Sequence, residues 1–196
     1  VNSQQKSVNY FCSYRGDCDG KLGNWRLAGR GIQVSIQSVI MSQGTPFQST
    51  LMSLLDISAP IISAPMAFVA GGALAAAVSE AGGLGLLGGG YGDRAWLDRE
   101  WNITDGARIG VGFITWMLEK QPDLLSYALE RNPAAIFLSF GSVRGFADEI
   151  VRSGIPLIAQ VQSVTDARIA VSEGASVIVA QGTEAGGHCG SQSTIT

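Results

Sequence analysis

The stretch "PLIAQVQSVTDARIAVSEGASVIVAQ", residues 156–181, shows how this chain folds. An apolar run lies at each of its ends, and the segment between them has the apolar spacing of a helix. Ser163 or Thr165 can cap the start of that helix, and Gly174 suits the position just beyond its end. Near-continuous apolar strands that flank a helix are typical of a parallel sheet covered on both faces.

The same alternation extends back along the chain to Leu51. Apolar runs predict strands at 60–66, 83–89, 108–114, 134–140, 156–162 and 176–181. Helical segments lie between them, at 71–81, 94–101, 122–131, 146–153 and 163–173. An open doubly wound sheet and a (β/α)8 barrel both show this alternation.

The positions of unusual residues favour the barrel. Met66 ends the first run, Gly112 and Gln160 lie within later runs, and His188 follows the last one. A barrel brings the carboxyl ends of all its strands around one mouth, where active sites form. We therefore predict an α/β fold of the (β/α)8 TIM-barrel type that is incomplete. It has about six strands and five helices and lacks the last two βα units of the full barrel.

The first fifty residues differ from the rest because they show neither helical nor strand periodicity. The sequence predicts a poorly ordered N-terminal extension at 1–50, followed by a partial barrel domain at 51–196. The chain opens with Val1, and Met41 or Met52 could be the true start.

Composition and charge exclude several classes of function. The chain is 46% hydrophobic and 15% charged, with a net charge of −3 and no cluster of Lys and Arg, so nucleic acid is not an expected partner. Cys12, Cys18 and Cys189 form no metal-ligand pattern and no disulfide framework. We therefore expect no metal site, and a reducing compartment, the cytoplasm, as the default location.

One uncharged segment, residues 57–79, resembles a membrane span. Pro60, Pro65 and the pair Gly71-Gly72 interrupt it, and its second half is mostly alanine, whereas a spanning helix needs about 20 strongly apolar residues. The expected structure is a buried strand followed by a buried helix, with no membrane contact.

Three features carry possible chemistry. The match "GLGLLG", residues 83–88, lies within a strand rather than before a helix, so we interpret its glycines as packing residues and not as a dinucleotide site. Gln160 interrupts an apolar strand and needs hydrogen-bond partners there, from the protein or from a ligand.

His188, the only histidine, lies among glycines that allow close approach of a ligand, and histidine readily moves protons near neutral pH. Cys189 has no visible base beside it and is not expected to react.

The stretches "PIISAPMA", "GVGFITW" and "IAQVQSVTDARIAVSEGASVIVAQGTEAGGHCG" resemble the nitronate monooxygenase family, formerly called 2-nitropropane dioxygenases. The resemblance covers roughly residues 54–196, and E-A-G-G-H, which ends at His188, is its most specific motif. Family members are FMN-dependent (β/α)8 barrels. The chain therefore resembles the N-terminal part of such a protein.

The resemblance implies roles for individual residues. His188 matches the family's catalytic base. The residues that match flavin-lining positions are Ala64, Pro65, Met66, Gln160, Gly186 and Gly187. Gly112 falls where many members have asparagine, so that contact is absent or made by backbone. The loops that bind the FMN phosphate follow the seventh and eighth strands of the family's barrel, beyond this chain.

The implied reaction is oxidation of alkyl nitronates or nitroalkanes by O₂ to a carbonyl compound and nitrite, with FMN as cofactor. The alternatives are an NAD(P)H-dependent, enoyl-reductase-like flavin barrel and a non-catalytic barrel fragment. The physiological substrate and the oligomeric state do not follow from the sequence.

Overall fold

The computed structural model describes residues 48–188, 191, 193 and 194. They belong to a compact unit that begins at Gln48. The extension predicted at 1–50 therefore lies outside the described residues except for its last three positions. Cys189 also lies outside them.

The helices and strands alternate in chain order. The strands are β1 (Leu86–Gly88), β2 (Gly110–Ile114), β3 (Ile136–Ser139), β4 (Leu157–Val161) and β5 (Val177–Ala180). The helices are α1 (Thr50–Leu55), α2 (Gly72–Glu80), α3 (Arg94–Ile103), α4 (Thr115–Leu118), α5 (Asp123–Leu129), α6 (Ala147–Arg152) and α7 (Val164–Ser172).

The five strands form one parallel sheet in the order β1-β2-β3-β4-β5. A doubly wound sheet reverses its strand order at a switch point, whereas strands that follow the chain order in one direction are typical of a barrel. The topology therefore confirms the predicted (β/α) barrel class.

The structure corrects the predicted number of elements within residues 48–188. The apolar run at 60–66 makes only one parallel bridge, between Ile62 and Leu84, instead of a full strand. Pro60 and Pro65 lack the N–H group that a ladder hydrogen bond requires, which limits the pairing. Seven helices replace the predicted five, because α1 precedes the barrel strands and the single turn α4 directly follows β2.

Two hydrophobic clusters cover the two faces of the sheet. Alternate strand residues such as Leu87, Val111 and Leu157 pack against the helices. The strand residues that alternate with them, including Phe137 and Ile158, form a second cluster on the inner face of the sheet. Side chains alternate along a strand, so the residue two positions after an inner-face residue also lies on the inner face. At the carboxyl end of each strand, such residues therefore point to the same side of the sheet.

Close helix packing explains the glycines of "GLGLLG". A Cβ atom added to Gly85 would overlap the backbone of Ala75 in α2. The glycine therefore lets this helix lie directly on the first strand of the sheet, as the packing interpretation predicts. No helix among the described residues is long and apolar enough to span a membrane.

Candidate active site

A cavity of about 260 Å³ lies at the carboxyl ends of the strands. It is lined by Ala64, Pro65, Met66, Ala67, Val69, Gly90, Tyr91, Ile114, Phe137, Ser139, Phe140, Gln160, Gln181, Gly186, Gly187 and His188. This is the end of the sheet where barrel enzymes place their active sites.

Seven of the eight residues predicted to form the site line this cavity. The exception is Gly112, which is buried within β2. A Cβ atom added there would overlap the ring of Pro65 and lie 3.5 Å from the Cβ atom of Phe137. Gly112 thus lies beneath Pro65, which lines the cavity, and Gly112 itself is not among the described lining residues.

Three glutamine side chains connect β4 to the loop that carries His188. The Nε2 groups of Gln160 and Gln162 both donate to Oε1 of Gln181, each over 2.9 Å. Gln181 in turn donates from its own Nε2 to the backbone carbonyl of His188 over 3.0 Å. All three side chains are partly buried, so the bonds fix the amide orientations at the cavity edge.

An aromatic ring and two glycines lie beside His188. Its ring meets Phe140 edge to face, with 5.9 Å between the ring centroids. Phe140 itself has φ 57°, a left-handed conformation that a bulky residue rarely adopts and that is found preferentially at functional sites. Gly187 also has a positive φ, 77°, and passes close to the sulfur of Met66. The side chain of His188 is exposed at the mouth of the cavity.

A hydrogen bond from Thr194 to Glu184 connects the loop that carries His188 to a later part of the chain. Its carboxylate accepts a hydrogen bond from the backbone N–H of Thr194, at 3.0 Å to Oε1. Hydrogen bonding by the Thr194 side chain, followed by backbone hydrogen bonds, holds the pKa of Glu184 below its ordinary value of 4.5. The stabilisation from the bond between Glu184 and Thr194 is therefore fully present when the pH is above the ordinary pKa of Glu184. It is lost as the pH falls through the lower pKa that Glu184 has in the folded protein.

Sequence reasoning missed Gln181 and the apolar side of the cavity. Gln181 directly follows an apolar strand, and a polar residue at that position is a usable signal for a site. Tyr91 and Phe140 gave no comparable signal, because an isolated aromatic residue after a strand is equally common in a core.

Two further cavities are present in the described part of the chain. One of about 220 Å³ lies between β4 and α7 and shares Phe140 and Gln160 with the first. The other, of about 560 Å³, lies at the opposite ends of the strands near Arg108 and Pro133. Neither contains His188, so the cavity that does is the candidate active site.

Comparison with known proteins agrees with this fold. The family model "Nitronate monooxygenase" matches residues 48–105 and 119–196. A nitronate monooxygenase of Paraburkholderia phytofirmans is 34% identical over 181 residues, which cover 71% of this chain and 50% of the relative. One of Neurospora crassa is 36% identical over 164 residues, covering 65% of this chain and 43% of the relative.

Solved structures show the same architecture. FabK from Thermotoga maritima superposes with a TM-score of 0.69 at 30% identity, over 75% of this chain and 48% of FabK. Nitroalkane oxidase from Streptomyces ansochromogenes superposes with a TM-score of 0.56 at 28% identity, over 71% of this chain and 50% of the oxidase. The chain spans about half the length of the relatives it matches. Because the family model matches most of residues 48–196 and the fold agrees, the chain belongs to the nitronate monooxygenase family.

Proposed function

We propose that the protein, in its full-length and FMN-loaded form, oxidises alkyl nitronates or nitroalkanes with O₂ to a carbonyl compound and nitrite. One observation carries the proposal: in a member of this family, a lone histidine and two amide side chains meet over an apolar floor in one cavity. His188 is the proposed general base.

The residues of the cavity fit a flavin ring. A flavin has flat apolar faces and a polar edge, and the cavity offers an apolar surface at Ala64–Met66 and amide groups at Gln160 and Gln181. Gly186 adds open space, since no atom lies within 4 Å of a Cβ built on it. We assign the apolar surface to the ring face and the amides to its edge.

When bound, FMN would supply the redox chemistry, accepting electrons from the nitronate and passing them to O₂. The protein would position the substrate and move its proton. His188 would remove the proton from the carbon next to a neutral nitro group, or hold the anion when the substrate is already a nitronate. The glutamine bonds would keep the His188 loop in one position during this step.

Replacement of the histidine tests the proposal. In the full-length, FMN-loaded protein, His188→Asn should lower turnover of a neutral nitroalkane by about 10²–10⁴-fold, the usual contribution of a general base. The preformed nitronate has already lost that proton, so its turnover should fall much less. Steady-state rates with the two forms of one nitroalkane measure the difference.

The ratio of the two losses separates catalysis from damage to the fold. Misfolding or loss of flavin lowers both rates equally, whereas loss of a base lowers mainly the rate with the neutral substrate. Equal losses, or no loss with the neutral nitroalkane, would remove His188 from this role.

A second candidate is an NAD(P)H-dependent, enoyl-reductase-like flavin barrel. The chain superposes on FabK as well as on a nitroalkane oxidase, so the fold alone does not decide which reaction the protein catalyses. Anaerobic mixing of the FMN-loaded protein with a nitronate, and separately with NADPH, distinguishes them. Rapid bleaching of the flavin by NADPH and not by the nitronate would favour the second candidate.

A further inference from the structure

The imidazole of His188 lies on a loop whose own contacts do not fix the rotation of the ring. Gly186 and Gly187 precede His188, and its side chain is exposed. Gln181 bonds only to its backbone carbonyl. A catalytic group must nevertheless be held within about 0.5 Å of its productive geometry. The ring that contacts the imidazole is Phe140, with 5.9 Å between the centroids and 65° between the ring planes.

Phe140 has a backbone conformation that costs the fold free energy. Its φ of 57° lies in the left-handed region, which a bulky residue rarely occupies. Phe140 is only partly buried and belongs to neither hydrophobic cluster of the described residues, so its ring contributes little core packing that would offset the strain. Such strain persists only where the surrounding structure enforces it, and it is concentrated at functional sites.

Two buried hydroxyl groups enforce this conformation. Oγ of Ser139, at the end of β3, donates to the carbonyl of Phe113 over 3.2 Å. Oγ1 of Thr115 donates to the carbonyl of Ser139, also over 3.2 Å, and so restrains the peptide group directly before Phe140. A Cβ atom added to Gly141, the next residue, would overlap the same Thr115 hydroxyl. Thr115 therefore contacts the chain on both sides of Phe140.

From these contacts we propose, building on the proposed function, that Phe140 is the positioning residue for the imidazole of His188. The left-handed backbone, held by Thr115, directs the Phe140 ring at the imidazole and limits its rotation. Gln181 positions the main chain of the loop, and Phe140 positions the ring. The strain at Phe140 serves proton transfer and not folding.

Proton NMR tests the ring contact without turnover. In the full-length protein with 13C-labelled histidine, the signal that His188→Asn removes identifies the imidazole of His188. A neighbouring aromatic ring shifts that signal through its ring current. Phe140→Leu should move the signal towards that of free histidine, whereas Phe140→Tyr should leave it close to its original position. An imidazole signal that Phe140→Leu does not move would overturn the inference.

Turnover of the full-length, FMN-loaded protein tests the role in proton transfer. Phe140→Leu should lower kcat with a neutral nitroalkane by about 10–100-fold, since a misplacement of about 1 Å can cost about 10²-fold. The rate with the preformed nitronate should fall much less, and Phe140→Tyr should retain both rates. Phe140 also lines the cavity, but loss of a substrate contact would lower the two rates equally. Equal losses would therefore exclude the positioning role.

The Thr115 hydroxyl provides a test away from the imidazole. Thr115→Val removes the hydroxyl and should cause the same selective loss with the neutral nitroalkane, together with the same NMR shift. Thr115→Ser keeps the hydroxyl and is the matched control, so both readouts should remain close to those of the unaltered protein. Equal effects of the two substitutions would contradict the restraint on which the inference depends.

Thermal unfolding separates positioning from a role in the fold. Phe140→Asn removes the ring and suits the left-handed conformation, so the Tm should stay the same or rise while turnover of the neutral nitroalkane falls. Phe146→Leu is the control, because Phe146 is buried in the core with φ −116°. It should lower the Tm and leave the ratio of the two rates unchanged. A clear decrease in Tm for Phe140→Asn would assign the ring to folding and refute the inference.

The NMR and Tm measurements do not depend on the reaction. If neither substrate is oxidised but the imidazole signal and the Tm respond as expected, the proposed function is wrong and the positioning of the ring stands. If His188→Asn shows the loss expected of a base and Phe140→Leu leaves the ratio of the two rates unchanged, the function stands and the positioning role is wrong.

Discussion

At the scale of single residues, the candidate site depends on Gly112 because this residue has no Cβ atom. The segment at 64–66 consists of three residues predicted to line a flavin and follows only one bridge of sheet pairing. Its position over β2 depends on contact between Pro65 and the bare backbone of Gly112. A side chain at this position would push the cavity floor away from the sheet.

Gly112→Ala should therefore destabilise the protein by about 1–3 kcal/mol, the usual effect of an added methyl group in a packed interior. Thermal unfolding should show a clear decrease in Tm. Gly186→Ala is the matched control, since a Cβ atom there has no neighbour within 4 Å and its addition should change the Tm little. Similar effects of the two substitutions would show that the Pro65 contact does not restrain the fold.

Gln160 is expected to affect the flavin and not the proton transfer. It lines the cavity, and its amide is oriented by Gln181. In the full-length protein, Gln160→Leu should weaken FMN binding or shift the flavin reduction potential, while the pH dependence of turnover stays the same. Gln162→Leu is the control, because Gln162 donates to the same oxygen but faces the neighbouring cavity. If the two variants have equal flavin affinity and potential, Gln160 serves only the fold.

At the scale of elements, an N-cap marks the start of α7, the helix that connects β4 to β5. The sequence left Ser163 and Thr165 as alternative caps, and the structure selects Ser163. Its hydroxyl accepts the backbone N–H of Asp166 at 3.1 Å and donates to the carboxylate of the same residue at 2.7 Å. Ser163 adopts the extended conformation that an N-cap requires, with φ −145° and ψ 158°. Thr165 lies inside the helix and is exposed.

Ser163→Ala should lower stability by about 1 kcal/mol because the first turn of α7 loses its cap. In a protein of this size, that corresponds to a decrease in Tm of about 2–4 °C. Thr165→Ala, in the same turn, should change stability by less than about 0.5 kcal/mol. Chemical denaturation of the two variants checks the difference, and a larger loss for Thr165→Ala would contradict the assignment of the cap.

At the scale of the whole molecule, the chain with its five-stranded sheet spans about half the length of the relatives it matches. The family resemblance assigns the FMN phosphate to loops after the seventh and eighth strands. The cavity proposed to hold the flavin ring contains no Lys or Arg among its described lining residues. The proposed ring contacts and the phosphate contacts that the resemblance implies would thus be separated in the sequence of the full-length protein.

Residues 1–196 alone should consequently bind FMN weakly or not at all, while a longer chain with the following βα units should bind it tightly. Titration of FMN, followed by the change in flavin fluorescence, measures both affinities. Tight and stoichiometric binding by the 196-residue chain would show that the phosphate loops are not needed. Weak binding by both chains would favour the non-catalytic alternative.

The sequence by itself determined the class of fold, because local signals carry it. Apolar runs predicted the parallel strands, the helical segments at 94–101 and 146–153 match α3 and α6 to within two residues, and a capping residue and a glycine predicted the ends of α7. The first apolar run at 60–66 was the main error. Its prolines remove the N–H donors on which pairing depends, and hydrophobic pattern alone does not report that loss.

Only the tertiary structure decided which residues meet. Gln160 and Gln181 are separated by a whole helix in the sequence, and their contact follows from the register that places Gln160 beside Val179. Gly112 faces the inner side of the sheet but is covered by Pro65, whereas Tyr91, in a loop after β1, lines the cavity. Local sequence encodes the period of each element, whereas neighbours across the sheet depend on register and on contacts between distant segments.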